Sequence, residues 1–330
     1  SHIVDLAALV SDMPNRKDKP KHIHRGSIMG VTVPIHNVNL NEMSEDYLYH
    51  IGLDTVDHDL REMFGDVKFV VLGGTGRRMK EFAEMILKET RCHLPAGTEL
   101  SDISANSHRY SMYKAGRVLC VSHGMGIPSI SILLHELIKL MHYAGCNDPI
   151  FIRMGTCGGI GVPGGNLVIT NEVVDGMLDP NWALPILGEI VKRPSVLHTE
   201  LIDEIVKCRL PSDKFDIIVG KTLSALDFYE GQGRLDGAFC SYTEEQKNEY
   251  LNKLLNHNVK NIEMEGSAFA ALTHAAGIKA AMVCVVMVNR LEVDQIALSK
   301  ETKEAYQETP QILLARFIVK KLDQIKNEVF

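Results

Sequence analysis

The chain has 330 residues, of which 45% are hydrophobic and 23% are charged, and its formal net charge at pH 7 is −7. This length and composition are typical of an ordinary globular protein with room for a large core. The negative charge argues against a nucleic-acid-binding protein, because no basic face dominates, but it leaves room for a local basic pocket that holds a small anion.

The seven cysteines are scattered along the chain and form no C-x-x-C pair. The sequence therefore predicts neither a disulfide framework nor a zinc site, and we expect a reduced, cytoplasmic protein without a bound metal. The longest apolar run, residues 280–288, has the length of a strand and is too short to span a membrane.

Residues 1–37 are polar and basic with little periodicity, which is typical of a flexible extension. Residues 38–330 contain no linker, so they are expected to form a single domain. Strands are predicted at 67–72, 109–114, 118–122, 167–174, 215–220 and 278–288, and helices at 77–90, 199–208, 244–257, 309–325 and from 128 onward. This alternation predicts an α/β fold, with a central twisted mixed β-sheet flanked by helices on both faces.

A glycine-rich segment, residues 151–161 (FIRMGTCGGIG), is predicted to be a central strand that enters a tight loop. Converging glycine amides, the Thr156 hydroxyl and the Arg153 cation would suit an oxyanion such as phosphate. A buried arginine satisfied by loop carbonyls beside a glycine turn is an equally good interpretation of this segment alone. The letters G-x-G-x-x-G at 159–164 are not a dinucleotide motif, because a strand rather than a helix is expected to follow.

A second glycine-rich loop, residues 73–78 (GGTGRR), lies between a predicted strand and a predicted helix. Its amides and the helix N-terminus favour an anion. We expect at most one of Arg77 and Arg78 to point inward, and the alternative is that both are solvated.

Two further loops carry groups that match parts of a nucleoside. In residues 228–234 (FYEGQGR), the amide of Gln232 matches the edge of uracil or thymine. Arg234 could then reach the remaining carbonyl, and Phe228 could stack on the base. In residues 263–266 (EMEG), the Glu265 carboxylate suits a ribose diol and Met264 could pack on the sugar. The alternatives are a polar surface turn and acidic residues placed for a helix dipole.

These segments together resemble the eukaryotic uridine phosphorylases of the nucleoside phosphorylase-I superfamily. The resemblance covers residues 40 to about 321, and the segments that carry it are 46–50 (DYLYH), 64–69 (FGDVKF), 121–131 (VSHGMGIPSIS), 153–156 (RMGT), 226–237 (LDFYEGQGRLDG), 261–265 (NIEME) and 289–292 (NRLE). It implies a phosphorylase-like catalytic domain that converts uridine and phosphate to uracil and ribose 1-phosphate in pyrimidine salvage, without a cofactor.

The resemblance also implies a role for individual residues. Phosphate would be held by Gly74, Arg78, Arg153, Thr156 and, from a neighbouring subunit, Arg109. Ribose would be held by Glu263, Met264, Glu265 and the neighbour's His50. Uracil would be held by Phe228, Gln232, Arg234, Met287, Val288 and Ile296, with Arg234, Gln232 and Arg153 stabilising charge in the reaction. His123 is interpreted as structural.

The borrowed His50 and Arg109 imply a homo-oligomer that is at least a dimer. Two positions depart from the pattern of the family: Gly76 stands where many relatives have proline, and Cys157 where they have serine or threonine. Three alternatives stay open, namely a purine nucleoside phosphorylase, a hydrolase that releases free ribose, and a catalytically weak nucleoside-binding paralogue. Val288 favours a pyrimidine, since the purine enzymes place an aspartate there, while the choice among uridine, 2′-deoxyuridine and thymidine is not decided.

Overall fold

The computed structural model describes residues 32–328. Its strands are β1 (Tyr47–Leu48), β2 (Leu53–Asp54), β3 (Phe69–Gly73), β4 (Met112–Ala115), β5 (Val118–Ser122), β6 (Ile150–Gly159), β7 (Leu167–Val174), β8 (Asn181–Ile186), β9 (Glu189–Pro194), β10 (Ile217–Ser224), β11 (Val259–Glu263) and β12 (Lys279–Asn289). Its α-helices are α1 (Leu60–Phe64), α2 (Gly76–Thr90), α3 (Ile127–Ala144), α4 (Thr199–Val206), α5 (Glu244–Asn256), α6 (Gly266–Ala275) and α7 (Lys300–Glu328).

The central element is an eight-stranded mixed sheet in the order β11-β10-β7-β12-β6-β3-β5-β4. Strand β11 also pairs with β6, so one end of the sheet curls into a ring of strands. Helices α2, α4 and α7 contact one another in one group, and α1, α3 and α6 form another. The predicted α/β fold with a central mixed sheet and flanking helices is confirmed.

Strands β3, β5, β6 and β12 run parallel as neighbours, so their carboxyl ends meet at one edge of the sheet. These strands are apolar and almost wholly buried, as expected for parallel strands covered on both faces. Of the loops that the sequence singles out for polar chemistry, residues 73–78 leave this edge directly after β3. Residues 228–234 and 263–266 follow β10 and β11, and the antiparallel pairing of β11 with the end of β6 brings that side of the sheet to the same place.

The glycines of β6 differ from their predicted conformation. Residues 155–159 do not form a tight loop; they continue the strand, with Gly155 paired to Cys284 of β12 and Gly159 paired to Asn261 of β11. Their backbone groups serve the sheet ladder, so a cradle of converging amides is wrong for this segment. The chain turns only beyond Gly159, and β7 follows, as the rejection of a dinucleotide motif requires.

The last helix also differs from its prediction. The sequence places Thr309 and Pro310 at its N-terminus, but α7 begins at Lys300 and carries Pro310 inside it. Proline cannot bond the carbonyl four residues earlier, which here is that of Tyr306. The Thr309 hydroxyl donates to that carbonyl at 2.8 Å, so the group keeps a partner and the helix continues.

The start of the folded part of the chain can be compared with the predicted flexible extension. Val33 is buried in the core and its carbonyl lies 2.8 Å from Nδ1 of His142, so packing already begins within the extension, residues 1–37, that is predicted to be flexible. Residues 1–31 of the predicted extension lie outside the described residues.

The hairpin of β8 and β9 is not anticipated by the sequence pattern. Among the described helices, none is long and apolar enough to cross a membrane.

Candidate active site

A cavity of about 230 Å³ opens at the edge where the carboxyl ends of the parallel strands meet. It is lined by β6 from Arg153 onward, by the ends of β11 and β12, and by the loops that follow β3, β5, β10, β11 and β12. The structure brings thirteen of the fifteen predicted site residues to it: Gly74, Arg78, Arg153, Thr156, Phe228, Gln232, Arg234, Glu263, Met264, Glu265, Met287, Val288 and Ile296. These residues come from β6 and from the segments at the ends of β3, β10, β11 and β12, which are far apart in sequence.

Arg153 is the buried cation of this cavity, with 2% of its surface exposed. Its Nη2 atom lies 2.9 Å from Glu263 Oε2 and also donates to Glu265, and Nη1 lies 3.0 Å from the Cys284 sulfur. A Cβ atom on Gly155 would lie 2.6 Å from Nη1, so only glycine at this position lets the guanidinium lie flat against the strand. Of the two interpretations of Arg153, carboxylates rather than loop carbonyls satisfy it, and it faces the cavity.

Glu265 and Glu263 differ in their surroundings. Burial opposes ionisation of Glu265, but the charge of Arg153 and a 2.7 Å hydrogen bond from the Gly126 N–H lower its pKa to about 2. Burial raises the pKa of Glu263, and the neighbouring Glu265 acts in the same direction. Glu263 accepts the backbone N–H groups of Glu265 and Gly266 at 2.9 Å, so it holds the start of α6. Glu265 is left as the carboxylate that can meet a ligand.

Arg78 is another arginine that lines the cavity. It follows the N-cap residue Thr75, whose hydroxyl accepts from Arg78 Nε at 3.2 Å. Burial and the charge of Arg153 hold the pKa of Arg78 below its usual value. Two arginines that repel each other across one cavity form a site that an anion would stabilise. Gly76, which departs from the family pattern, packs so closely that a Cβ atom would lie 2.6 Å from Ser111 Oγ.

Gln232 and Arg234 are buried, with 3% and 4% of their surface exposed, although the turn that precedes them, residues 228–231, is exposed. The Gln232 carbonyl accepts from Arg290 Nη2 at 2.9 Å, and Arg234 donates to the Asp294 carbonyl. Arg290 in turn bonds the Asp294 carboxylate at 3.0 Å. The Arg290–Asp294 pair therefore fixes the turn that carries both groups.

The wall beside this turn is apolar. Met287 and Val288 are buried, and Ile296 is 44% exposed at the rim. Phe228 is 41% exposed, and its ring centroid lies 4.2 Å from the Arg234 guanidinium carbon, so the ring already stacks on a cation. An apolar wall facing an amide and a guanidinium suits a flat polar ring.

Thr156, Met264 and Cys157 also line the cavity. The Cys157 sulfur lies 3.5 Å from the Val285 carbonyl oxygen. Burial, followed by the neighbouring Cys284, raises the pKa of Cys157 well above its ordinary value. Cys157 is therefore a neutral thiol, which can donate weakly as a hydroxyl would, and it is not a nucleophile.

His50 and Arg109 do not line the cavity of their own chain. His50 lies in the turn between β1 and β2, where its Nδ1 atom is 2.6 Å from Glu136 Oε1. Glu136 also accepts the backbone N–H groups of His50 and Ile51, which fixes the turn on α3. Arg109 is exposed ahead of β4. Both residues are therefore presented at the surface.

The sequence interpretation misses several residues of the site. Arg290 and Asp294 lie in or beside the 289–292 segment, but they carry no separate signal of a supporting role. Gly126 is recognisable only as part of the 121–131 motif. His123 is interpreted as structural, yet it lines the cavity with 1% of its surface exposed. No pattern in the sequence distinguishes a core histidine from one that faces a cavity.

Comparison with known proteins defines the class. Residues 68–319 match the model of the phosphorylase superfamily. The chain belongs to this superfamily. Individual relatives then indicate which enzymes of the superfamily it is most similar to.

Uridine phosphorylase 2 of Homo sapiens is 49% identical over 290 residues, covering 88% of this chain and 91% of its own length. A solved structure of a uridine phosphorylase from the oomycete Phytophthora capsici superposes with a TM-score of 0.85 at 42% identity, covering 89% of this chain and 99% of the other. A uridine phosphorylase from Schistosoma mansoni in complex with thymidine gives 0.84 at 39% identity, covering 88% and 99%.

One relative bears on activity rather than on fold. Inactive uridine phosphorylase B of Schistosoma mansoni is 38% identical over 291 residues, covering 88% of this chain and 97% of its own length. Membership of the family therefore does not by itself establish turnover, and the cavity residues have to carry that argument.

Proposed function

We propose that this chain is a uridine phosphorylase, a pentosyltransferase that converts uridine and phosphate reversibly to uracil and ribose 1-phosphate, with inversion at C1′, in pyrimidine salvage. Phosphate is a co-substrate, and no cofactor takes part. The observation that carries the proposal is that the arginine pair, the carboxylate Glu265 and the amide of Gln232 line one cavity. These groups match an oxyanion, a sugar diol and a pyrimidine edge.

The phosphate subsite is assigned to Arg78, Arg153, Thr156 and the loop at Gly74. The lowered pKa of Arg78, caused by burial and by Arg153, supports this assignment, because a bound anion relieves the repulsion between the two cations. The N-terminus of α2, a helix of 15 residues, adds its dipole on the same side.

The ribose subsite is assigned to Glu265 and Met264, with the neighbour's His50. Because its pKa is about 2, Glu265 is ionised at neutral pH and can accept two hydroxyl groups of the sugar. Glu263 supports the subsite indirectly. Its bonds to Arg153 and to the start of α6 keep Glu265 and Arg153 in place.

The reaction follows from where charge develops. Cleavage of the C1′–N1 bond leaves positive charge on the ribose and negative charge on uracil. Phosphate beneath C1′ faces the oxocarbenium-like sugar and then forms the new bond from that face. Gln232 and Arg234 face the uracil oxygens, so their interaction strengthens as the bond breaks. No general acid is required.

A dimer is part of the proposal, because the side chains of one chain leave the cavity with only a small net positive charge for binding phosphate. Three arginines (Arg78, Arg153 and Arg234) meet two glutamates (Glu263 and Glu265), and both glutamates bond Arg153. An additional cation, Arg109 from a neighbouring subunit, would complete the phosphate subsite. The neighbour's His50 would reach the ribose 5′-hydroxyl.

A panel of nucleosides tests the choice of base. Uridine, 2′-deoxyuridine, thymidine and inosine are each incubated with phosphate, and loss of nucleoside is followed by ultraviolet absorbance. We expect uridine to react at least about a hundredfold faster than inosine, because Val288 offers no acid to a purine and Gln232 matches a pyrimidine. Faster cleavage of inosine would overturn the assignment.

A binding protein without turnover is the second candidate, and the inactive Schistosoma relative is the observation that favours it. Calorimetry with uracil beside the activity assay separates the two. Uracil binding without any cleavage of uridine would support the second candidate, whereas turnover removes it.

A further inference from the structure

His123 lies in the loop between β5 and α3 and lines the cavity, with 1% of its surface exposed. Its backbone is tied on both sides: its N–H donates to the Gly73 carbonyl at 2.7 Å, and its own carbonyl accepts from Ser129 Oγ at 2.6 Å. Within the described part of the chain, neither ring nitrogen makes a hydrogen bond.

A buried polar group without a protein partner is unfavourable, so its position needs a reason. A structural histidine of the core would have its nitrogens satisfied by the protein. Among the residues that the structure describes, His123 is instead tied through its backbone alone, which leaves the imidazole available to a molecule in the cavity. Substrate is the partner that this cavity would supply.

The charges that surround the ring define what it can bond. Burial lowers the pKa of His123 to about 4; Arg153 and Arg78 act in the same direction, and Glu265 opposes them. At neutral pH the imidazole is therefore uncharged, with one N–H donor and one acceptor nitrogen. The charges that act on it belong to Arg78 and Arg153, which are assigned to phosphate, and to Glu265, which is assigned to ribose, and all of them line the same cavity. A phosphate oxygen matches its donor, and a sugar hydroxyl matches its acceptor.

We propose that His123 is a further substrate-contacting residue, whose imidazole donates to an oxygen of the bound phosphate and accepts from a ribose hydroxyl. The proposal rests on the proposed function, since it takes the cavity to hold phosphate and ribose together. In that arrangement one side chain joins the two subsites and orients the attacking phosphate toward the sugar. The contact persists in ribose 1-phosphate, so it serves both directions of the reaction.

Steady-state kinetics on His123→Leu, which removes both nitrogens at similar volume, and His123→Gln, which keeps an N–H donor, test the proposal. We expect His123→Leu to raise the KM for phosphate at least about tenfold, the value of a hydrogen bond to a charged group. His123→Gln should recover part of that loss. Ser129→Ala is the matched control, because it removes the bond to the His123 carbonyl and leaves the ring, and it should change this KM less than about twofold.

A purely structural histidine gives a different result, in which His123→Leu lowers the melting temperature while the KM for phosphate stays within twofold, and this would overturn the proposal. If His123→Leu does not fold, wild-type protein labelled with ¹⁵N-histidine is titrated with phosphate, and His123→Gln identifies the His123 signals. We expect those signals to shift on binding, and unshifted signals in a protein that binds phosphate would contradict the contact. A wild-type protein that cleaves uridine without phosphate would instead refute the proposed function, and this is seen before any variant is made.

Discussion

Arg77 and Arg78 are neighbours in sequence at the start of α2, but their side chains have separate partners. Arg77 Nη1 pairs with Glu81 at 2.6 Å on the surface, whereas Arg78 bonds Thr75 through Nε and lines the cavity with Arg153. This division agrees with the expectation that at most one of the two arginines points inward. It also provides a matched pair of substitutions on one helix.

Removal of the Arg78 side chain is expected to weaken phosphate binding specifically. Arg78→Ala should raise the KM for phosphate by about 10–100-fold, because a charge-assisted contact of about 1.5–3 kcal/mol is lost, with a small change in the KM for uridine. Arg77→Ala, with 59% of its side chain exposed, should leave both constants within about twofold. Equal effects of the two substitutions on phosphate would contradict the assignment.

Arg234 is expected to act on the rate rather than on sugar binding. Arg234→Ala should lower kcat by about 10²–10³-fold, because the guanidinium meets charge that develops only as uracil departs. Binding of ribose 1-phosphate, measured by calorimetry, should stay close to that of the wild type. Near-normal cleavage of uridine by this variant would remove Arg234 from the mechanism.

Shared sites between subunits predict rescue on mixing. His50→Ala changes a residue that is presented to a neighbour, whereas Arg234→Ala changes the cavity of its own chain. After the two inactive variants are dissociated and reassociated together, half of random dimers carry one of each, with one intact site. About a quarter of wild-type activity is therefore expected in the uridine assay. No gain on mixing, with subunit exchange verified by labelled chains, would show that His50 serves its own chain or none.

Acid should destabilise the protein through His123. Its folded-state pKa of about 4 lies below the ordinary value near 6.5, so the unfolded chain takes up the proton first. The resulting stability is complete above about pH 6.5 and is lost as pH falls toward 4, up to about 3 kcal/mol in total. Urea denaturation between pH 7 and 5 should therefore show a smaller loss for His123→Gln than for the wild type, by about 2 kcal/mol at pH 5.

The comparison isolates one group. His135, whose pKa is also lowered by burial, titrates in both proteins and cancels in the difference. Glu265 loses its contribution only as pH falls from its ordinary range toward about 2. Parallel pH profiles for the wild type and His123→Gln would mean that the imidazole is not desolvated in the folded protein.

The sequence predicts most strands closely because burial on both faces leaves long apolar runs, of which β12 is the clearest. It fails where tertiary pairing overrides local preference. Glycines 155–159 look like a loop, but β11 and β12 supply ladder partners on both sides. Pro310 looks like a helix start, but the hydroxyl of Thr309 takes over the carbonyl that proline leaves unpaired.

The cavity could be foreseen in part for a related reason. Arg153, Gln232 and Glu265 lie in motifs whose chemistry is recognisable one motif at a time, and the strands of the mixed sheet then bring the motifs together. The supporting pair Arg290 and Asp294, and the free imidazole of His123, depend on which side chains meet in three dimensions. Such relations have no periodicity and no motif in the sequence.

The account as a whole requires that phosphate itself takes the ribose from uracil. The most direct test is to incubate the purified protein with uridine, with and without phosphate, and to identify the products by chromatography and ³¹P NMR. We predict equal amounts of uracil and α-ribose 1-phosphate when phosphate is present, and no uracil when it is absent. Release of uracil with free ribose in phosphate-free buffer would contradict the account.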